Sequence, residues 1–225
     1  MQNISISTEL GNNIPELELS CIECDIDIQE KNDILWDSIQ QKIIEISENT
    51  KVEQISKIST IAASRKAYKV CGKDPARYRL SAEALLRRVI KRKELYQVNN
   101  VVDLLNLVSI SSGFSIGGYD VEKINGDVVF GIGNRNEPYS GIGRGELNIE
   151  FLSVFRDQLG AFGTPTSDSV RTSVSIQTKR FLMIIIDYAS SVQLKNATDL
   201  AIDLLEKYAQ ATNFELSSIK YNETN

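Results

Sequence analysis

Histidine is absent from all 225 residues of the chain. It is the side chain best suited to proton transfer near neutral pH, because its unperturbed pKa lies in that range. Its absence excludes Ser-His-Asp and Cys-His arrangements for activating a nucleophile. Any enzyme built on this chain must therefore use carboxylates, lysine, tyrosine, backbone dipoles or groups of its own substrate.

Cysteine is scarce, and its three positions are Cys21, Cys24 and Cys71. Cys21 and Cys24 have CxxC spacing, but the surrounding LELSCIECDIDI alternates like a strand, in which residues three apart face opposite sides. A redox CxxC belongs at a helix N-terminus, and a tetrahedral zinc site needs four ligands. We therefore expect no metal site and no cofactor. The odd cysteine count, without a secretion signal, predicts a cytoplasmic protein.

Long apolar runs and excess positive charge are also missing. The longest wholly apolar run covers residues 181–186, which is too short to span a bilayer, so no membrane partner is expected. The net charge is −5, whereas large nonspecific nucleic-acid binders are usually basic. Any RNA contact must therefore be local, and no DNA partner is expected. Nothing in the sequence indicates an oligomeric state.

The order of the predicted elements indicates the fold class. Strands are expected at residues 4–7 and 17–28, and helices at 33–71, 81–93 and 101–112. A strand-rich region follows at 127–188, and a last helix starts at Asn196 or Thr198. This order lacks the regular alternation of a doubly wound sheet. It predicts a single α+β domain with a mostly antiparallel sheet flanked by helices. We divide residues 1–225 into N-terminal strands and a helical pair (1–74), a core (75–190), and a C-terminal helix and tail (191–225).

The stretch 99–126, NNVVDLLNLVSISSGFSIGGYDVEKING, carries the main candidate site. Its apolar residues recur at helical spacing, and Gly113 is placed to end that helix. Asp103 and Asn106 are three apart and share one side of the helix. A glycine-rich turn at Gly117 is expected to follow. Polar groups that leave a buried helix beside a turn are suited to a ligand pocket, although an ordinary capped helix has the same pattern.

Two further polar stretches allow a structural and a functional interpretation. Basic residues cluster around the helix that begins near residue 81. They form either an edge that contacts RNA phosphates or a solvated helix face. These residues are Arg77, Arg79, Arg87, Arg88, Lys91 and Arg92. The second stretch is rich in hydrogen-bonding groups and forms either a plain turn or the rim of a ligand site. Its residues are Ser167, Asp168, Arg171 and Thr172.

Several of these strings resemble a known family. NNVVDLLNLVSISSGFSIGGYDVEKING is similar to the B3/B4-type tRNA-binding and editing domain of the bacterial phenylalanyl-tRNA synthetase beta chain. Free-standing versions of that domain are more similar still, with YRLSAEALLRRVIKRKELY upstream and SDSVRTSVSIQTKRFLMIIID downstream. The resemblance covers roughly residues 75–190. It implies a B3/B4-like fold.

The resemblance also implies residue roles. The family's pocket asparagine matches Asn106, and its neighbouring hydroxyl residue becomes Leu105. The family's pocket histidine falls on Gly117, so that group is lost, and its pocket glutamate has no counterpart. The aromatic-Asp pair matches Tyr119 and Asp120.

The editing domain hydrolyses the aminoacyl ester at the 3′ end of a mischarged tRNA, which implies a tRNA partner here. We expect a free-standing tRNA-binding protein that hydrolyses such esters in trans; its length leaves no room for the synthetase catalytic modules. Asn106 would orient the ester or its water, and the backbone of Gly117 and Gly118 would hold developing charge. Expected substrate contacts are Asn100, Asp103, Tyr119, Asp120, Ser167, Asp168, Arg171 and Thr172. The alternatives are a non-catalytic module that binds RNA or an amino-acid-like ligand, and a structural remnant without a ligand.

Overall fold

The computed structural model describes residues 1–93 and 95–221. The helices are α1 (Thr8–Asn13), α2 (Asp33–Asn49), α3 (Val52–Ile55), α4 (Ser59–Val70), α5 (Ser81–Ile90), α6 (Asn100–Ser112) and α7 (Gln193–Ala209), with a 3-10 turn at Val121–Lys123. The strands are β1 (Ile4–Ile6), β2 (Glu18–Asp25), β3 (Ser115–Asp120), β4 (Val128–Ile132), β5 (Ser140–Gly141), β6 (Gly145–Glu146), β7 (Ser153–Asp157), β8 (Gly160–Gly163), β9 (Arg180–Asp187) and β10 (Thr212–Lys220).

The strands form two stacked four-stranded sheets and one short hairpin. The central sheet has the order β10-β2-β9-β3, and the second sheet has the order β1-β4-β7-β8. Within the described residues, β1 and β4 are the only parallel pair of neighbouring strands. Helices cover the outer face of the central sheet, and residues from both ends of the chain share their core. The predicted α+β class, with a mostly antiparallel sheet flanked by helices, is confirmed.

Strand β9 is buried on both of its faces. Phe181, Met183 and Ile185 pack into the core beneath the helices. Leu182 and Ile184 point the other way, into the core between the two sheets. A strand with two buried faces needs apolar residues at every position, which explains the continuous apolar run in the sequence.

The CxxC pair lies on β2, as the alternation predicts. Cys21 packs between the two sheets, whereas Cys24 packs under the helices, so the two thiols face opposite sides of the strand. Both are free and buried, and burial raises the pKa of each thiol to about 12. Neither is therefore a reactive thiolate near neutral pH.

Helix α6 is fixed at both of its ends. The Asn99 side chain accepts a hydrogen bond from the Val102 amide and caps the first turn, and Gly113 ends the helix in the left-handed conformation. The buried Asn100 side chain accepts from the Gln29 amide and donates to backbone carbonyls of Asp27 and Tyr208. Asn100 therefore joins α6 to the segment after β2 and to the end of α7.

The expected glycine turn at Gly117–Tyr119 is wrong, because these residues lie in strand β3. Pairing along β9 outweighs the low strand propensity of glycine, and a Cβ on Gly118 would lie 2.7 Å from Leu105 Cδ1. Glycine therefore lets α6 pack closely on the strand.

The sequence also did not predict α1, β8 or β10. All nine β10 residues are partly or fully exposed, so the strand lacks a buried apolar side that would give it a clear alternation. No helix in the described ranges is long and apolar enough to cross a membrane.

We expect Asn100→Ala to lower the free energy of unfolding by about 2–4 kcal/mol, because one buried and two partly buried backbone groups lose their partner. The matched control is Asn106→Ala on the same helix. The Asn106 side chain is half-buried and makes no hydrogen bond within residues 1–93 and 95–221, so its loss should change stability by less than about 0.5 kcal/mol. Urea denaturation measures both. Equal losses would contradict the structural role of Asn100.

Candidate functional site

A cavity of about 410 Å³ lies between α5, α6, the edge strand β3 and the segment 164–174. Its wall is largely apolar, formed by Leu85, Val98, Val101, Val102, Leu105, Ile116, Ile142, Val170, Val174 and Phe181. Its polar lining consists of Ser81, Asn106, Ser109, Thr164, Ser167, Asp168 and Ser173. An apolar cavity of this size with few polar groups is typical of a site for a small ligand.

Asn106 lines this cavity from α6. Its amide group has no hydrogen-bond partner in the part of the chain that the structure describes. Because the residue is half-buried against the cavity, a ligand can reach both its N–H and its C=O. The adjacent Leu105 supplies apolar wall instead of a hydroxyl.

Asp168 lines the same cavity from the opposite element. Its Oδ1 accepts a hydrogen bond of 2.8 Å from the Tyr119 hydroxyl, and the backbone N–H groups of Gly118 and Thr164 also bond to the carboxylate. Burial raises the pKa of Asp168 to about 7, although the three hydrogen bonds act in the opposite direction. A carboxyl group with this pKa can both accept and release a proton near neutral pH.

Two glycines make room for the tyrosine that holds Asp168. Tyr119 is buried between the sheets, where its ring makes an edge contact with Phe162 at 5.0 Å. A Cβ on either Gly117 or Gly163 would overlap the Tyr119 hydroxyl. The ring therefore passes between these two glycines to reach Asp168 from behind the cavity.

This arrangement changes the roles expected for the glycines of β3. Gly117 does not line the cavity; its missing side chain leaves space for Tyr119. Gly118 does line the cavity, but its N–H is bonded to Asp168. Neither position therefore matches a free backbone donor aimed at a substrate.

The segment that carries Asp168 is firmly held. The Tyr139 hydroxyl donates to the Ser167 carbonyl at 2.6 Å, and the Thr164 hydroxyl donates to the same carbonyl at 3.0 Å. The Ile142 amide donates to the Asp168 carbonyl at 2.9 Å. The carboxylate is thus positioned by neighbours on three sides before any ligand binds.

Three residues expected near the substrate have other partners. Asn100 is the buried link described above. Asp103 accepts the Val98 amide at 2.9 Å, and burial raises its pKa to about 6. Asp120 accepts the Thr178 hydroxyl at 2.7 Å and the Glu122 amide at 3.2 Å. None of the three lines the cavity.

The end of the polar segment is also outside the cavity. Arg171 makes two bonds of 2.8 Å to the carboxylate of Asp157, which hold the pKa of that carboxyl below its usual value despite burial. Thr172 is buried, and its carbonyl accepts the Asp120 amide from the edge of β3. Of this segment's expected contacts, the structure brings Ser167 and Asp168 to Asn106.

The basic cluster divides into paired and exposed residues. Glu83 is almost fully buried and binds Arg65 and Arg87 at 2.8 and 2.9 Å, with Arg79 at 3.9 Å. Several cations beside them are exposed, namely Arg77, Lys91, Arg92 and Lys93. Arg88 lies over the Tyr96 ring at 4.3 Å.

Sequence reasoning missed Gly163, Thr164 and Ile142. Each of these residues contributes to the site through a tertiary contact made by the chain after β4. Spacing in the local sequence does not predict such a contact. For Gly163 and Thr164, the sequence signal was the string GAFGTPTSD, in which a glycine precedes Thr-Pro. Among the described residues, no group of carboxylates and cysteines is arranged to hold a metal ion.

One comparison with known proteins identifies the family of the chain. The model of the B3/4 domain matches residues 63–203, which contain every residue that lines the cavity. No curated protein matches the chain. An N-terminal fragment of the phenylalanyl-tRNA synthetase beta-subunit from Pyrococcus horikoshii is similar in structure, with 12% identity and a TM-score of 0.46. The alignment covers 96% of this chain and 50% of that fragment, so the chain spans about half the fragment's length. Because the family match extends over more than half of its residues, the chain belongs to the B3/4 domain family.

Proposed function

We propose that the cavity receives the aminoacyl group at the 3′ end of a mischarged tRNA and that the protein hydrolyses its ester in trans. One observation carries the proposal: Asp168, with a pKa near neutrality, lines the same apolar cavity as the Asn106 amide, which has no hydrogen-bond partner among the described residues. Family membership and the sequence resemblance support tRNA as the carrier of the ester.

The cavity suits the aminoacyl part of such a substrate. A volume of about 410 Å³ accommodates one amino-acid side chain together with its ester group. Leucine, valine, isoleucine and phenylalanine side chains form most of the wall, so an apolar side chain gains most from transfer out of water. The polar groups then determine where the ester lies.

Asp168 and Asn106 can divide the chemistry between them. The Asp168 carboxylate takes a proton from water as the water oxygen attacks the ester carbonyl carbon. The carbonyl oxygen becomes negative, and the Asn106 amide donates a hydrogen bond to it. Cleavage of the bond to the ribose oxygen follows, and that oxygen receives the proton from Asp168. The new carboxylic acid releases its proton to solvent.

Tyr119 acts behind Asp168 as a positioning residue. Burial and the adjacent carboxylate raise the pKa of Tyr119 well above its usual value, so it remains a hydrogen-bond donor. Its hydrogen bond favours the ionised form of Asp168. Without this bond the carboxyl group would stay protonated to higher pH and could not act as a base near neutrality.

The tRNA body requires a positive surface next to the cavity. Helix α5 contributes Ser81 and Leu85 to the cavity wall, and exposed Lys91 and Arg92 follow directly after its last turn. These two cations can meet phosphates, whereas Arg87 is held by Glu83. Because salt screens charges, these cations attract phosphates only at short range, where they outweigh the repulsion from the chain's net charge of −5.

We expect hydrolysis to rise with pH through about 7, because Asp168 must be ionised to accept a proton. Asp168→Asn should lower the rate roughly 100-fold or more and remove this pH dependence. The measurement is deacylation of a panel of mischarged tRNAs at several pH values, with the exposed Asp203→Asn on α7 as control. If the panel stays intact while an amino acid binds in an Asp168-dependent way, the protein is a binding module instead.

Tyr119→Phe should move the pH profile to higher pH, because loss of its hydrogen bond raises the pKa of Asp168 further. The rate well above the new pKa should stay close to wild type. Tyr208→Phe is the matched control, since that hydroxyl bonds Ser38 and does not line the cavity. A profile unchanged by Tyr119→Phe would show that Asp168 is not the titrating group.

The double variant Lys91→Gln with Arg92→Gln should weaken tRNA binding and lower the log–log salt slope by about two units, one for each lost phosphate contact. Titrations of uncharged tRNA at several salt concentrations measure the slope. Lys195→Gln with Lys207→Gln, both exposed on α7, is the matched control. An equal slope in wild type and the first variant would leave this basic end as a solvated surface.

A further inference from the structure

Tyr96 presents an exposed aromatic face beside the cavity. Its side chain is 73% exposed even though the Arg88 guanidinium lies 4.3 Å from the ring centroid. The guanidinium covers one face of the ring, so the opposite face is open to solvent. Exposed aromatic rings backed by a cation are suited to stacking with another flat group.

Tyr96 and Arg88 do not line the cavity themselves, but residues close to each of them in the chain do. Val98, two residues after Tyr96, lines the cavity and is itself 53% exposed. Leu85 also lines the cavity, and Arg88 follows it by three residues, about 4.5 Å along the axis of α5. Because both partners of the stack lie this close to wall residues, a ligand the size of a nucleoside can span from the cavity to the ring.

Charge around the ring favours a nucleotide. Three consecutive exposed cations, Lys91, Arg92 and Lys93, lie between the end of α5 and Tyr96. A flat uncharged ligand would gain nothing from them, whereas a nucleotide would place its base on the ring and its phosphate near the cations. The rim is also apolar on the other side, where Ile142 and Val170 line the cavity yet remain exposed.

We propose that Tyr96, backed by Arg88, is the platform on which the 3′-terminal nucleobase of an RNA stacks while the group attached to its ribose enters the cavity. The proposal rests on the proposed function for the identity of that group. It adds a base-binding site that recognises the RNA end by stacking, without regard to the amino acid.

Binding of uncharged RNA tests the platform without hydrolysis. Two hairpins are compared, one with a single-stranded 3′ end terminating in adenosine and one lacking that last nucleotide. Wild type should bind the complete hairpin roughly tenfold more tightly, and Tyr96→Ala should abolish this difference. Tyr96→Phe should keep it, because the ring remains. Phe151→Ala removes an exposed aromatic that does not line the cavity and should keep it as well.

Equal binding of the two hairpins by wild type would overturn the platform, as would a preference that survives Tyr96→Ala.

A second measurement separates this outcome from failure of the proposed hydrolysis. Wild type and Tyr96→Ala are given a 3′-aminoacyl-adenosine and the ethyl ester of the same amino acid. The platform predicts a KM about tenfold higher in the variant for the adenosine ester alone, with kcat unchanged. If neither ester is hydrolysed but the hairpin preference depends on Tyr96, the platform stands and the hydrolase proposal falls.

Discussion

Burial of β9 on both faces is the constraint on which the other layers depend. Its odd-numbered apolar residues pack in the core beneath the helices, and its even-numbered ones pack in the core between the two sheets. The helical layer and the second sheet therefore both pack against this one strand. β3 pairs with β9 at the edge of the central sheet, and the polar segment 164–172 runs along the free side of β3. The cavity forms where this segment, β3 and α6 meet. The position of β9 therefore determines the geometry of the cavity.

The chemistry of the site depends on small residues as much as on polar ones. Asp168 reaches its position because Tyr119 supports it, and Tyr119 reaches Asp168 because Gly117 and Gly163 leave the space open. Any side chain at position 117 would collide with the tyrosine hydroxyl. Glycine at position 117 and the hydrogen bond from Tyr119 to Asp168 therefore belong to one arrangement. This arrangement holds a carboxyl group whose pKa is about 7 in a chain without histidine.

The sequence predicts those parts of the fold whose local pattern agrees with their burial. The helix ending at Gly113 has clear helical periodicity, the strand 180–187 contains a continuous apolar run, and the structure has both. Strand β10 and the β3 glycines were missed because their conformation follows from pairing with β2 and β9, not from their own propensities. Gly163 could not be recognised as part of the site for a similar reason. Its role depends on a tyrosine more than forty residues earlier in the chain.

The raised pKa of Asp168 also makes the fold itself sensitive to protons. An aspartate in the unfolded chain titrates near 4, whereas Asp168 in the folded protein titrates at about 7. Between these values the folded state binds the extra proton, so this residue's contribution to stability falls as pH rises from about 4 to about 7 and is fully lost above that range. A ligand carrying an ammonium group next to Asp168 would favour its ionised form. Such a ligand would release the proton on binding and restore the stability lost near neutral pH, which couples occupancy of the cavity to the stability of the domain.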